Sequence, residues 1–307
     1  MLTSAIQELQ ETVSEVAWRQ WATFVPTVSS ARKVVAIIDP EALVLISLAL
    51  REKERRLWDV LSWWAVKGST LLSVQRMKNL SKTYPEAIKA KLEEFAYLAY
   101  QEGGDSRWKS LPTSPPAISL RSQKAEQMIF QLREAPTLML RLRSGIGVGI
   151  KADVLSVLIG MAGKSASIKT LSVATDYAPR SIRRAVDEMI NAQLVYTYEV
   201  SPVEYFVDSN KWLELLGIES PGPKWHFVHS VFAFIADVLA LWEESFHKSE
   251  SPYVLSSHLR DVVDRAKLAF RWNQIRIPEP SNYRGVDFLE AFEGVVKNTT
   301  EWLSNNV

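Results

Sequence analysis

The chain has 307 residues, of which 47% are hydrophobic and 23% charged, and its formal net charge is +1. These proportions belong to a folded globular protein, and the length allows two or three ordinary domains. The near-zero charge gives no general bias towards nucleic acid, and the absence of cysteine excludes disulfides, iron–sulfur clusters, thiolate zinc sites and cysteine nucleophiles, in keeping with a reducing cytoplasm.

The charge is unevenly spread. Residues 103–150 carry seven Lys/Arg against three Asp/Glu, and residues 217–307 carry nine against twelve, so a nucleic-acid contact is expected in the middle of the chain. Eleven Trp imply substantial cores or an oligomer interface. The opening MLTSAIQELQETVSEV has no basic region followed by an apolar one, so no secretory signal is expected. The longest strongly apolar stretch, 231–242, contains Asp237 and falls short of the ~18 residues of a spanning helix. A soluble, cytoplasmic protein is the expectation, with no membrane partner.

Taken in chain order, residues 1–102 read as a helical domain. Ile6, Leu9, Val13 and Val16 recur at helical spacing, and Trp18 and Trp21 continue the segment. An apolar run at 34–38 stops at Asp39 and Pro40, an N-cap followed by a proline at the first helical position. Helices follow at about 40–51, 54–67, 71–82 and 85–102. The charge run REKERR at 51–56 reads as a solvated junction. A fainter helix-turn-helix rhythm at 57–82 presents Arg76, Lys78 and Lys82, read as a solvated basic face. Gly103, Gly104 and the LPTSPP of 111–116 mark a linker over 103–122. A connecting segment at 125–143 leads to Gly145, Gly147 and Gly149 and opens a domain at 123–216. GIESPGPK at 217–224 is a second linker, and a C-terminal helical domain at 225–307 holds helices at 225–246, 253–272 and 285–303.

Residues 151–216 read as helix, turn, short helix, turn, longer helix, hairpin and helix. Val154, Leu155 and Leu158 form an apolar face on the first helix. Ser167 can N-cap the second, which buries Ile168, Leu171 and Ala174. Asp176 falls in a turn that needs a left-handed residue, a conformation Asp tolerates better than most. Pro179 opens the third helix, whose buried stripe is Ile182, Ala185, Val186, Met189 and Ile190. That stripe leaves Arg180, Ser181, Arg183, Arg184 and Asp187 on the opposite face. Guanidiniums can chelate guanine or bridge phosphates, and a helix N-terminus also favours phosphate. LVYTYEV and YFVD, joined by SPVE, read as two short strands with a tight connection.

Over these residues, roughly a fifth of the chain, the sequence resembles the winged helix-turn-helix regulators of bacteria and archaea. The matching positions are Leu171, Ala174, Thr175, Pro179, Ser181, Ile182, Ala185, Val186, Met189, Leu194 and Val195. Four positions depart from the usual pattern: Ser172 replaces a small Ala, Asp176 the turn Gly, Ala178 the Ser/Thr cap and Gln193 the Gly before the first wing strand. The resemblance implies a central winged helix bearing a small β-hairpin wing, and with the flanks read from periodicity the expected fold is mainly α, with a helical N-terminal domain and a C-terminal helical bundle. It implies a DNA-binding protein, a transcriptional regulator reading duplex DNA with the helix at 178–192. Arg180, Ser181, Arg183, Arg184, Lys164, Lys169 and Tyr177 are the expected DNA contacts, and Arg141 and Arg143 extend the expected basic strip. The alternative is a non-enzymatic scaffold or partner-binding module built on the same fold, since this segment holds seven Lys/Arg against eight Asp/Glu.

The apolar helix at 225–246 must be enclosed, and the two helices after it offer one good stripe each. A homodimer joined through residues 225–303 is therefore expected. No enzyme, cofactor or metal is expected. Gly163-Lys164-Ser165 imitates the end of a phosphate-binding loop but lacks its first Gly. Gly145, Gly147 and Gly149 have the wrong spacing for a dinucleotide fingerprint. His226, His229, His247 and His258 include a single Glu-x-x-His, where a di-iron bundle needs two.

Overall fold

The computed structural model describes residues 2–25, 33–116, 131–198, 200–248 and 251–307. Helix α1 (Leu2–Phe24) buries Ile6, Leu9, Val13, Val16, Ala17 and Trp21, the stripe that helical spacing lines up on one face. Helix α2 (Pro40–Leu50) begins where the Asp39 carboxylate accepts a hydrogen bond from the Ala42 amide at 3.2 Å and Pro40 takes the first turn. It is apolar on almost every side and buried accordingly. Around it pack α1, α3 (Arg56–Lys67), α4 (Val74–Leu80) and α5 (Glu86–Tyr97). Trp21 donates Nε1–H to Ser47 Oγ at 2.9 Å, and its ring meets Phe24 and Trp64 with centroids 5.1 and 5.8 Å apart.

Residues 103–116 do more than connect. Asp105 caps a 3₁₀ turn, Ser106–Ser110, that buries Trp108 against Phe95 with ring centroids 5.3 Å apart. The remainder of the expected linker, 117–122, lies outside the described residues. After residue 130 the expected connecting segment contains a helix, α6 (Leu138–Ile146).

Helix α7 (Ile150–Gly160) follows, then β1 (Ala166–Ser167), α8 (Ile168–Thr175), α9 (Pro179–Asn191), β2 (Tyr196–Tyr198), β3 (Glu204–Phe206) and α10 (Ser209–Leu215). The strands form an antiparallel sheet in the order β1-β3-β2. Tyr205 lies at its centre, opposite Ala166 on one side and Thr197 on the other. The C-terminal part is α11 (Val228–Lys248), α12 (Pro252–Asn273) and α13 (Phe288–Asn306). The architecture is thus mainly α-helical, with N- and C-terminal helical regions flanking a small β-hairpin, as the sequence implies. No described helix is long and apolar enough to cross a membrane.

Two hydrophobic cores result. The larger draws on both 1–102 and 225–307: α1 runs against α13, and α2 against α11. Most of α11 is therefore enclosed within the chain. Val231, Phe232, Ile235 and Val238 are buried by α2 and α12 of the same chain, while Leu239, Leu241 and Trp242 are only partly buried. The smaller core joins α6 to α10 with Trp225 and Phe227. The chain leaving the 217–224 segment is pinned: the Gly160 carbonyl accepts from the Trp225 amide at 3.0 Å. A Cβ on Gly160 would stand 2.8 Å from that nitrogen, which is why no side chain fits there. The Ile37 amide donates to the Lys224 carbonyl at 2.9 Å, tying the run before α2 to the same place.

Candidate nucleic-acid interface

The α8–turn–α9 unit is built as its sequence suggests. Ser167 Oγ accepts from the Thr170 amide at 3.2 Å and caps α8, which buries Ile168, Leu171 and Ala174. Asp176 is left-handed, with φ 56° and ψ 30°. Ser172 Oγ donates to the Tyr177 carbonyl at 2.7 Å, so the residue that replaces the usual Ala closes the turn. Gln193, at the other departure from glycine, is also left-handed, with φ 58°. Pro179 takes the first turn of α9, and Ala178 offers no side-chain cap. Helix α9 buries Ile182, Ala185, Val186 and Met189, while Arg180, Ser181, Arg183, Arg184 and Asp187 are all exposed on its other side.

The first turn of α9 has no acidic residue. Among the described residues Arg180 and Arg183 form no ion pair, whereas Arg184 meets Glu188 at 3.1 Å. Glu188 also accepts from Lys151 at 2.7 Å, and these two donors hold its carboxyl below the usual range. Lys164, in the turn after α7, and Lys169, on α8, are exposed. The Ser165 hydroxyl donates to the carboxylate of Glu204, the first residue of β3.

Three expected basic or polar contacts face inward instead. Tyr177 is buried, and its hydroxyl bonds Ser73 Oγ at 2.7 Å and Asp153 Oδ2 at 2.9 Å. It therefore cannot share the surface of the arginines, and burial pushes its phenol well above the usual range. Arg143 is enclosed, and Arg141 donates to the Leu216 carbonyl. The expected strip is thus confined to α9, Lys164 and Lys169. Arg76, read as part of a solvated face, is wholly buried too.

Arg76, Arg143 and Tyr177 belong to a cluster that sequence reasoning missed. Arg76 forks onto Asp39 with two contacts of 2.5 Å and reaches Glu41 at 2.7 Å. Arg143 bridges Glu41 at 2.6 Å and Asp153 at 2.7 Å. All five side chains have zero exposure. Three acids against two arginines leave an excess negative charge, and neutral donors answer it: the Ser73 amide to Glu41 at 2.7 Å, the Tyr177 hydroxyl to Asp153, and the Ala42 amide to Asp39. Buried charges persist only when paired and hydrogen-bonded in this way. Burial alone would lower both guanidinium values, but the carboxylates outweigh it and raise them. Burial likewise opposes the ionised Asp39, and Arg76 prevails and holds it low. His229 stands 3.9 Å from Asp39 and is depressed to about 4, mainly by burial. It is neutral at physiological pH.

The cluster orients the exposed helix. Arg76 Nε donates to the Thr175 carbonyl at 2.9 Å, and Asn79 Nδ2 to the Asp176 carbonyl at 2.7 Å. Helix α4 thus grips the last residue of α8 and the turn into α9. The one sequence signal for this was Asp153, an acid in the otherwise apolar run of α7.

The chain matches no protein-family model, no curated protein and no solved structure.

Proposed function

We propose that residues 151–216 form a winged helix-turn-helix and that the protein binds double-stranded DNA with α9 in the major groove, as a cytoplasmic transcriptional regulator and not an enzyme. The order α7, β1, α8, α9, β2, β3 with its three-stranded sheet supports the fold reading. One observation carries the functional reading. Arg180, Ser181, Arg183 and Arg184 crowd the solvent face of a helix whose other face is buried, the geometry by which a recognition helix presents guanidiniums to base edges and phosphates. The β2–β3 hairpin is the wing, and Lys164 and Lys169 add phosphate contacts. Two copies on a two-fold site would supply the specificity that one recognition helix rarely provides. Selection from random duplex DNA by the full chain tests this, and enrichment of a defined motif is the expected result.

The scaffold reading has one feature in its favour. Tyr196, Tyr198, Val200 and Val203 expose 44–52% of their surface along the wing, with Tyr198 stacked on Phe206 at 4.2 Å between centroids. Such a patch suits a protein partner. Selection that enriches no sequence, at a salt concentration where other basic domains bind, would favour that reading.

A further inference from the structure

Between the end of α8, residues 80–84, α11 and α12 lies a cavity of about 650 Å³, within the size range of small-molecule sites. Its walls are mostly apolar and include Val173, Phe234, Val262, Ala269 and Trp272. Its charges are arranged unevenly. Asp176 and Asp237 are half-buried on short side chains, while Lys82 and Arg265 are exposed on long ones. Among the described residues the Asp176 carboxylate makes no hydrogen bond or ion pair. Asp237 pairs at 2.9 Å with Arg265, whose side chain is 61% exposed. Burial holds both carboxyls above their usual range: Asp176 has no paired cation among the described residues, and Arg265 offsets only part of the desolvation of Asp237.

Two deeper lining residues add to this. His229 Nδ1 and Tyr84 Oη are buried and have no hydrogen-bond partner among the described residues, an unsatisfied pair that asks for a reason. The imidazole is neutral, so one ring nitrogen is an acceptor. The Trp272 Nε1–H is a third buried polar group of the lining without a partner among the described residues, so the anionic groups of the cavity are its two carboxylates, and the cations stand at the rim.

We propose that this cavity is a binding site for a small organic cation, an ammonium or amidinium head on an apolar body. The head pairs with Asp176 and Asp237, and the body packs on Phe234, Val262 and Trp272. Asp176 is the left-handed residue between α8 and α9. Resting on the DNA-binding reading, occupancy acts on the turn that aims α9 and so changes duplex affinity.

Calorimetric titration of the full chain with 2-phenylethylammonium, 2-phenylethanol and 3-phenylpropanoate tests the site without DNA. The ammonium is expected to bind saturably at millimolar concentration or below, at least about tenfold more tightly than the alcohol, with no binding of the carboxylate. Asp176→Asn and Asp237→Asn, whose folding is checked by thermal melting, should each weaken the ammonium about tenfold and leave the alcohol unchanged. Asparagine suits the left-handed position at 176. No saturable ammonium binding, equal binding of all three probes, or unchanged affinity in both variants overturns the proposal. Repeating the duplex titration with ammonium present separates the two readings. Ammonium binding without duplex binding removes only the link to DNA, and duplex binding without ammonium binding removes only the cavity site.

Discussion

Replacing Arg76 with Met examines the buried cluster at its most connected member. The substitution nearly conserves volume but deletes four hydrogen bonds: two of 2.5 Å to Asp39, one of 2.7 Å to Glu41 and one of 2.9 Å to the Thr175 carbonyl. It leaves Asp39 at zero exposure without its counter-charge. Removing one partner of a buried pair costs about 3–5 kcal/mol, a large share of the roughly 5–15 kcal/mol that holds a domain together. The pH dependence is distinctive. In the native chain Arg76 keeps Asp39 low against burial; without it burial prevails, the folded value rises, and acid relieves the penalty by protonating the carboxyl. Urea unfolding at pH 8 and pH 5 should therefore show a stability gap between native and variant that narrows at the lower pH. Hydrogen exchange of the α8 amides should accelerate, because the Thr175 carbonyl has lost its donor. A gap below about 1 kcal/mol, or one that widens on acidification, would show that the cluster does not hold the helix pair in place.

The native chain should lose stability as pH falls from about 6.5 towards 4, because unfolded His229 titrates near the ordinary 6.5 of histidine and the folded residue only at about 4. The neutral folded form is favoured above that window, so up to about 3 kcal/mol is lost across it; His229→Gln should flatten the curve in urea titrations spanning it. Tyr177→Phe deletes the bonds to Ser73 and Asp153 and should cost about 1–3 kcal/mol by denaturation with unchanged duplex affinity, whereas weaker binding without destabilisation would return the residue to the interface. Gly160→Ala places a Cβ 2.8 Å from the Trp225 nitrogen and should destabilise by about 1–3 kcal/mol, detectable as a lowered melting temperature.

Local structure was legible in the sequence because its causes are local. Asp39 and Pro40 start α2, Ser167 caps α8, Asp176 takes the left-handed turn, and the stripe of α9 fixes which arginines face outward. The two residues of β1 are too few to show a period. What could not be read depends on partners distant in the chain. Arg143 and Glu41 are 102 positions apart, and nothing near Arg76 distinguishes a buried arginine from a solvated one. Tyr177 neighbours the arginines in sequence, yet the left-handed step at Asp176 turns it to the interior. Helix α11 looked uncovered because only the helices following it were considered, whereas α2 does the covering. Trp108 fell in a segment read as a linker from the Pro and Ser around it, and its partner Phe95 lies in the preceding helix.

The central claim is that α9 contacts DNA, and a duplex obtained by selection allows a direct measurement: its affinity for the native chain and for an Arg180→Ala, Arg183→Ala variant, by fluorescence anisotropy at fixed salt. Arg184, engaged by Glu188, stays in place, so the two substitutions remove only guanidiniums that have no acidic partner among the described residues. The account predicts a loss of about 1–3 kcal/mol per arginine that makes a base contact, a shallower dependence on salt, and an unchanged melting temperature. Equal affinity of the two proteins, with the melting temperature likewise unchanged, would contradict it.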